Sequence, residues 1–87
     1  MSVAGGATAE CPVTNRMGLP VNVYASGRGS QELAPGQSTT VPEDPYVFQV
    51  YGAGGYGDVA GCQAGRKFEV IPSSAAFPTH PALQRVD

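Results

Sequence analysis

A chain of 87 residues, 41% hydrophobic and 14% charged, with 12 glycines and 8 prolines, has room for one small domain of short strands and tight turns, not of helices. Its net charge is −2, and its bases (Arg16, Arg28, Arg66, Lys67 and Arg85) are scattered, which excludes nucleic acid as an expected partner because phosphate binding needs a basic patch. No apolar run approaches the roughly 18 to 20 residues that span a bilayer, so no membrane partner is expected either.

Residues 1–10 (MSVAGGATAE) offer nothing large to bury and read as a flexible arm. They lack the basic start and apolar stretch of a secretion signal, so the chain is expected in the cytosol, in a virion, or already trimmed. The folded domain is expected over residues 11–71. Residues 11–16 read as a first strand and 17–20 as a turn; Val21, Val23 and Ala25 then alternate with Asn22 and Tyr24 in a second strand. The SGRGS segment at 26–30 makes a hairpin connection, and residues 31–33 a short third strand. Ala34-Pro35-Gly36-Gln37 suits a type II turn, since proline presets φ at the second position and glycine accepts a positive φ at the third. Residues 38–41 form a fourth strand, Glu43-Asp44-Pro45 punctuates, and the β-branched and aromatic run at 46–51 (YVFQVY) predicts the central strand.

Residues 52–58 then read as a glycine-rich loop, 59–62 as a short strand, 64–66 as a turn and 67–71 as a last alternating strand. Together these predict an all-β fold, a small β-sandwich or barrel of six to seven short antiparallel strands. Its expected core is Val13, Leu19, Val21, Val23, Leu33, Val41, Phe48, Val50, Phe68 and Val70. Proline lacks a backbone N–H to donate, so Pro72, Pro78 and Pro81 predict a Pro-rich extended arm over residues 72–87, with Phe77, Leu83 and Val86 as apolar anchors.

Few residues can carry chemistry. Cys11 and Cys62 are the only cysteines. Paired, they would close a loop that stabilises by roughly 4 kcal/mol; unpaired, they would be buried thiols of a cytosolic protein. Both alternatives are open. Residues 52–57 (GAGGYG) match the G-x-G-x-x-G dinucleotide fingerprint, but that motif works by opening a helix whose N-terminus holds the pyrophosphate. Gly61 and Gly65 would break such a helix, so a plain loop is expected and no cofactor. The one histidine, His80, lies in the expected tail, away from any nucleophile it could activate, and two cysteines with one histidine do not make a zinc set. Glu43 and Asp44 read as solvated turn residues, and Glu32 and Glu69 as outward charges on strands. No catalytic, metal or cofactor residue is therefore assigned, and the chain is not expected to be an enzyme.

The segment Leu33-Ala34-Pro35-Gly36-Gln37-Ser38-Thr39-Thr40-Val41 resembles part of the small microbial α-amylase inhibitors, which are also compact all-β proteins. Members of that group carry an exposed Trp-Arg-Tyr triplet and two disulfides. This chain has no Trp and only two cysteines, so the resemblance covers nine residues and transfers no site.

Two functions fit these features. The first expectation is a non-catalytic structural or accessory subunit of a larger homo- or hetero-oligomeric assembly, such as a virion-surface or capsid-stabilising protein. It would dock on other subunits through its arms, using Phe77, Leu83 and Val86. The alternative is a free-standing binding module, a secreted enzyme inhibitor or carbohydrate binder. That module would use a rim of Tyr24, Tyr46, Tyr51 and Tyr56 and the loop residue Arg28, and it requires oxidised cysteines.

Overall fold

The computed structural model describes residues 10–42, 47–52, 55–63 and 65–87. Among them are eight strands: β1 (Cys11–Asn15), β2 (Val21–Ala25), β3 (Gly29–Leu33), β4 (Ser38–Val41), β5 (Val47–Tyr51), β6 (Gly57–Gly61), β7 (Phe68–Ser74) and β8 (Phe77–Arg85). They form two four-stranded sheets, ordered β4-β1-β7-β8 and β3-β2-β5-β6. The chain is thus all-β, with eight strands instead of six or seven, and neither sheet closes into a barrel. All pairings are antiparallel except β1 with β7.

Period-two alternation decides what lies between the sheets. Cys11 and Val13 of β1, Val21, Val23 and Ala25 of β2, Phe48 and Val50 of β5, and Phe68 and Val70 of β7 are all buried in one core. Phe48 and Phe68 belong to opposite sheets and meet edge to face with centroids 5.2 Å apart, a contact that adds about 0.5–1.5 kcal/mol beyond the area it buries. Leu19, expected in the core, only packs against its border; Cys11, Met17, Ala25 and Cys62 join it. Cys11 and Cys62 form a disulfide across 51 residues of sequence, tying β1 in one sheet to the chain just beyond β6 in the other.

One polar residue sits in this interior. Asn15 follows Cys11 and Val13 in the inward register of β1 and is fully buried. Its Nδ2 donates to the carbonyls of Leu19 and Leu33, each at 3.0 Å, and its Oδ1 accepts from Met17 N–H at 2.8 Å. Its backbone also reaches the Ala34–Gln37 turn: Asn15 N–H donates to Gln37 C=O, and Gly36 N–H donates to Asn15 C=O. That turn has the Gln37-to-Ala34 bond and the positive φ at Gly36 (84°) of the type II form.

The expected arm at 72–87 is instead most of a hairpin. β7 and β8 pair from Phe68 with Arg85 up to Ser74 with Phe77, and Pro72 faces Pro81. The prolines are tolerated because of where the register puts them. Val86 N–H donates to Lys67 C=O. Counting in twos from that hydrogen-bonded pair makes Phe68/Arg85, Val70/Leu83 and Pro72/Pro81 the non-bonded pairs, whose nitrogens point away from the partner strand. A register shift between Pro72 and Ser74 then leaves three residues of β8, 78–80, facing Ser73 alone, and Pro78 falls in this irregular stretch. The domain expected to end at residue 71 therefore continues to Arg85.

Other boundaries move as well. β6 begins at Gly57, so the end of the expected glycine loop is strand, and β3 begins at Gly29, two residues early. All of the flexible arm expected over residues 1–10 except Glu10 lies outside the described residues, as do the Glu43-Asp44-Pro45 break, Tyr46, and the loop positions 53, 54 and 64.

Candidate functional site

The outward faces of β2, β5 and β6 are the place to look, because register aligns their side chains in rows. Ser30, Tyr24, Gln49 and Val59 form one row, and Glu32, Asn22, Tyr51 and Gly57 the next. Tyr24, Val47 and Val59 are exposed on this face. Between Tyr51, Gln49 and Val59 the surface dips into an open concavity of about 450 Å³, bounded also by Gly55 of the β5–β6 loop.

Gly57 makes the floor of that concavity. A Cβ there would collide with the carbonyl oxygen of Val50 and lie 3.0 Å from Tyr51 Cα, so only glycine lets β6 approach β5 this closely. Among the described residues before it, Gly52, Gly55 and Tyr56 bond to one another. Gly55 N–H donates to Gly52 C=O at 3.1 Å, Gly52 N–H donates to Tyr56 C=O at 3.0 Å, and Gly55 has φ 83°. Gly55 therefore sits between two strands, where positive-φ glycine is an ordinary requirement. Tyr51, half-buried, lays its ring over the face: its hydroxyl is hydrogen-bonded to Ser30 Oγ of β3 at 2.8 Å. The ring is thereby fixed before any ligand arrives.

Behind the concavity lies the seam between the two sheets. The outward-pointing N–H of Leu83 on β8 donates to Asp58 Oδ2 at 2.9 Å, and Val59 N–H donates to Asp58 Oδ1 at 2.9 Å. One carboxylate thus satisfies a donor on an edge strand of each sheet. Beside it, Tyr56, His80 and Phe77 stack as three near-parallel rings, with His80 3.9 Å from Tyr56 and 4.9 Å from Phe77 between centroids. Pro81 and Thr79 pack against Gly52. Gly52 and Tyr56, on either side of the β5–β6 connection, consequently rest on β8.

The residues singled out from sequence have separate fates. Tyr51 and Tyr56 stand on either side of the glycine turn, Tyr51 on the concavity and Tyr56 (58% exposed) on the ring stack. Phe77 (55% exposed) is on that same stack, and Val86 is exposed at the far end of β8. Leu83 is no surface anchor; it packs against the core, because its register opposite Val70 turns its side chain inward. Arg28 is not a free loop-tip cation: its Nη2 donates to Glu10 Oε2 at 2.8 Å and its Nη1 to Thr40 C=O at 3.3 Å. Hydrogen bonding with Thr40, and after it the Arg28 guanidinium, holds the Glu10 carboxyl below its ordinary value. His80, expected in a solvated tail, is half-buried between two rings. Glu69 pairs with Arg16 at 3.1 Å. Among the described residues no group of three or more His, Cys, Asp or Glu side chains is placed to hold a metal ion.

Sequence reasoning missed Asp58 and Gly57. The signal for Gly57 was present, since a strand followed by a glycine-rich turn is the pattern of a hairpin, and its return strand would put Gly57 opposite Tyr51. Nothing local marks Asp58, whose partner is 25 residues away. Comparison of the chain with protein-family models, with curated proteins and with solved structures finds no match.

Proposed function

We propose that this domain is a free-standing binding module, and that its contact surface is the outward face of β2, β5 and β6 around the concavity at Gly57. The observation that carries this is the combination of a bare glycine floor with an aromatic wall, Tyr51, whose orientation is set in advance by Ser30. A preset ring loses little freedom on binding, so its contact area converts into affinity efficiently. The groups around the concavity, the Gln49 amide, the Tyr51 ring, the Gly57 backbone and the Asp58 carboxylate that accepts from two backbone N–H groups, supply hydrogen bonds and packing. The Cys11–Cys62 disulfide suits a protein that works in an oxidising compartment.

The test is a fragment screen read by amide chemical shifts of the ¹⁵N-labelled domain, since small probes gather where a protein has a true hot spot. Shifts clustering on Gln49, Tyr51, Gly57 and Val59 support the proposal. Shifts confined to other surfaces refute it.

A subunit role in a larger assembly has one support of its own, the exposure of Phe77 on β8 and of Val86 just beyond it. It does not draw on a C-terminal arm, because Phe77 and residues 81–85 are paired with β7. Self-association in sedimentation runs, abolished by Phe77→Ser, is the result this second role requires.

A further inference from the structure

We infer that the ligand of this face is an uncharged saccharide chain. The inference rests on the binding-module function proposed above and adds the chemical class of what is bound. Its first basis is the hydrogen-bonding inventory. Register brings Ser30, Asn22, Tyr24, Gln49 and Tyr51 to one face, and each carries a neutral hydroxyl or amide that both donates and accepts. Among the described residues the one carboxylate in these rows is Glu32, on the edge strand β3, remote from the concavity. Asp58 borders the concavity, but its two oxygens are already committed to the N–H groups of Val59 and Leu83.

Each competing ligand class leaves something unsatisfied here. An anionic ligand would be desolvated against a surface without countercharge, which is costly, and a cationic one would find only Asp58, whose two oxygens already accept from backbone N–H groups. A purely hydrocarbon ligand would cover the amides of Asn22 and Gln49 and the Tyr24 hydroxyl without pairing them. A peptide held by its backbone needs an open strand edge, whereas this concavity is on the face of a sheet. A sugar ring matches both halves of the surface: its hydroxyls donate and accept like the amides and phenols around them, and its C–H faces pack on the Tyr51 ring and on Val59, which is 50% exposed. The shape agrees. The concavity is open at the surface, and the row from Ser30 to Val59 crosses four strands, about 14 Å at ordinary strand spacing, so a chain of several sugar units can lie along it.

The experiment is a titration of the intact, oxidised ¹⁵N-labelled domain with cello-, xylo-, manno-, malto- and chito-oligosaccharides, with oligogalacturonate as the charged control. At least one neutral series is expected to give saturable shifts at Tyr24, Gln49, Gly57 and Val59, undisturbed by oligogalacturonate. Val59→Glu, on an exposed position, should weaken that binding by about tenfold or more with an unchanged melting temperature. Tyr51→Ala should do the same, its fold checked by melting. The inference is overturned if no neutral series shifts these amides, if oligogalacturonate binds as well as they do, or if Val59→Glu leaves binding intact. Should fragments gather on this face while every oligosaccharide fails, the binding module survives and the saccharide does not. Should neither gather there, both fail.

Discussion

Asp58→Asn should open the seam between the two sheets. The substitution preserves size and shape, and keeps one side-chain oxygen in place of two. In the native protein both oxygens accept: Oδ2 from Leu83 N–H and Oδ1 from Val59 N–H, each at 2.9 Å. An amide can meet only one of these donors and turns its own NH₂ toward the other. The Val59 contact is exposed and the Leu83 contact partly buried, so the Asn oxygen stays on Leu83, now as a neutral acceptor, and its NH₂ faces Val59 N–H, which water can serve. A hydrogen bond to a charged group contributes about 1.5–3 kcal/mol and a neutral one about 0.5–1.5 kcal/mol, so the loss at Leu83 is about 1–1.5 kcal/mol. At about 4–8 °C per kcal/mol for a domain of this size, the melting temperature should drop by roughly 5–10 °C. Urea denaturation should show the midpoint falling with an unchanged slope, and the Leu83 amide should lose protection from hydrogen exchange. If Asp58→Asn stays within about 0.5 kcal/mol of the parent and Leu83 exchanges no faster, the carboxylate does not hold the seam and the account is wrong.

Gly57→Ala should destabilise the domain by at least the roughly 1–3 kcal/mol typical of overpacking, because the added carbon meets the Val50 carbonyl. Gly52→Ala should be tolerated, since its Cβ would sit 3.5 Å from Pro81 Cδ; a paired urea titration compares the two. Asn15→Leu strips the partners from the buried Met17 N–H and the Leu19 and Leu33 carbonyls, and at about 1–3 kcal/mol for each buried orphan it should leave little folded protein by circular dichroism at room temperature. Removing the disulfide with Cys11→Ala and Cys62→Ala together should lower stability by about 4 kcal/mol on the chain-entropy account, read from denaturation without reductant. Because the folded Glu10 carboxyl lies below its ordinary value, its contribution is present above the unfolded value and disappears as pH falls through the folded one. Glu10→Gln should accordingly lower the neutral end of a melting-temperature profile against pH and flatten its acid limb, the two proteins converging at low pH, and an unchanged profile would count against the Arg28–Glu10–Thr40 cluster.

Local patterns in the chain already determined much of the architecture. Alternation along Val21-Asn22-Val23-Tyr24-Ala25 and the apolar positions of YVFQVY placed Val21, Val23, Phe48 and Val50 inside, because a strand has no other way to sort its two faces. The Ala34–Gln37 turn was legible for a similar reason: φ preferences of proline and glycine act within four residues. The same local logic failed at the C-terminus. Proline speaks against a ladder only when its nitrogen points at a partner, and whether Pro72 and Pro81 do so depends on a register that two distant strands agree between them.

The site was legible only in pieces. Tyr51, Tyr56 and the glycine run could be singled out from the sequence, and so could Phe77. That Tyr51 is fixed by Ser30, that Gly57 is its bare counterpart, that Leu83 belongs to the core, and that Arg28 is spent on Glu10 are all consequences of which strands lie side by side. Pairing across 21 residues for Ser30 and Tyr51, 25 for Asp58 and Leu83, and 51 for the two cysteines carries no local signature, since hydrogen bonds and disulfides form wherever the folded chain brings their partners together. By itself the sequence determined an all-β domain and the inward face of its strands. The tertiary structure decided that the tail is part of the fold and that a neutral, glycine-floored face lies beside it, because only the packing of one sheet on the other sets the registers on which both depend.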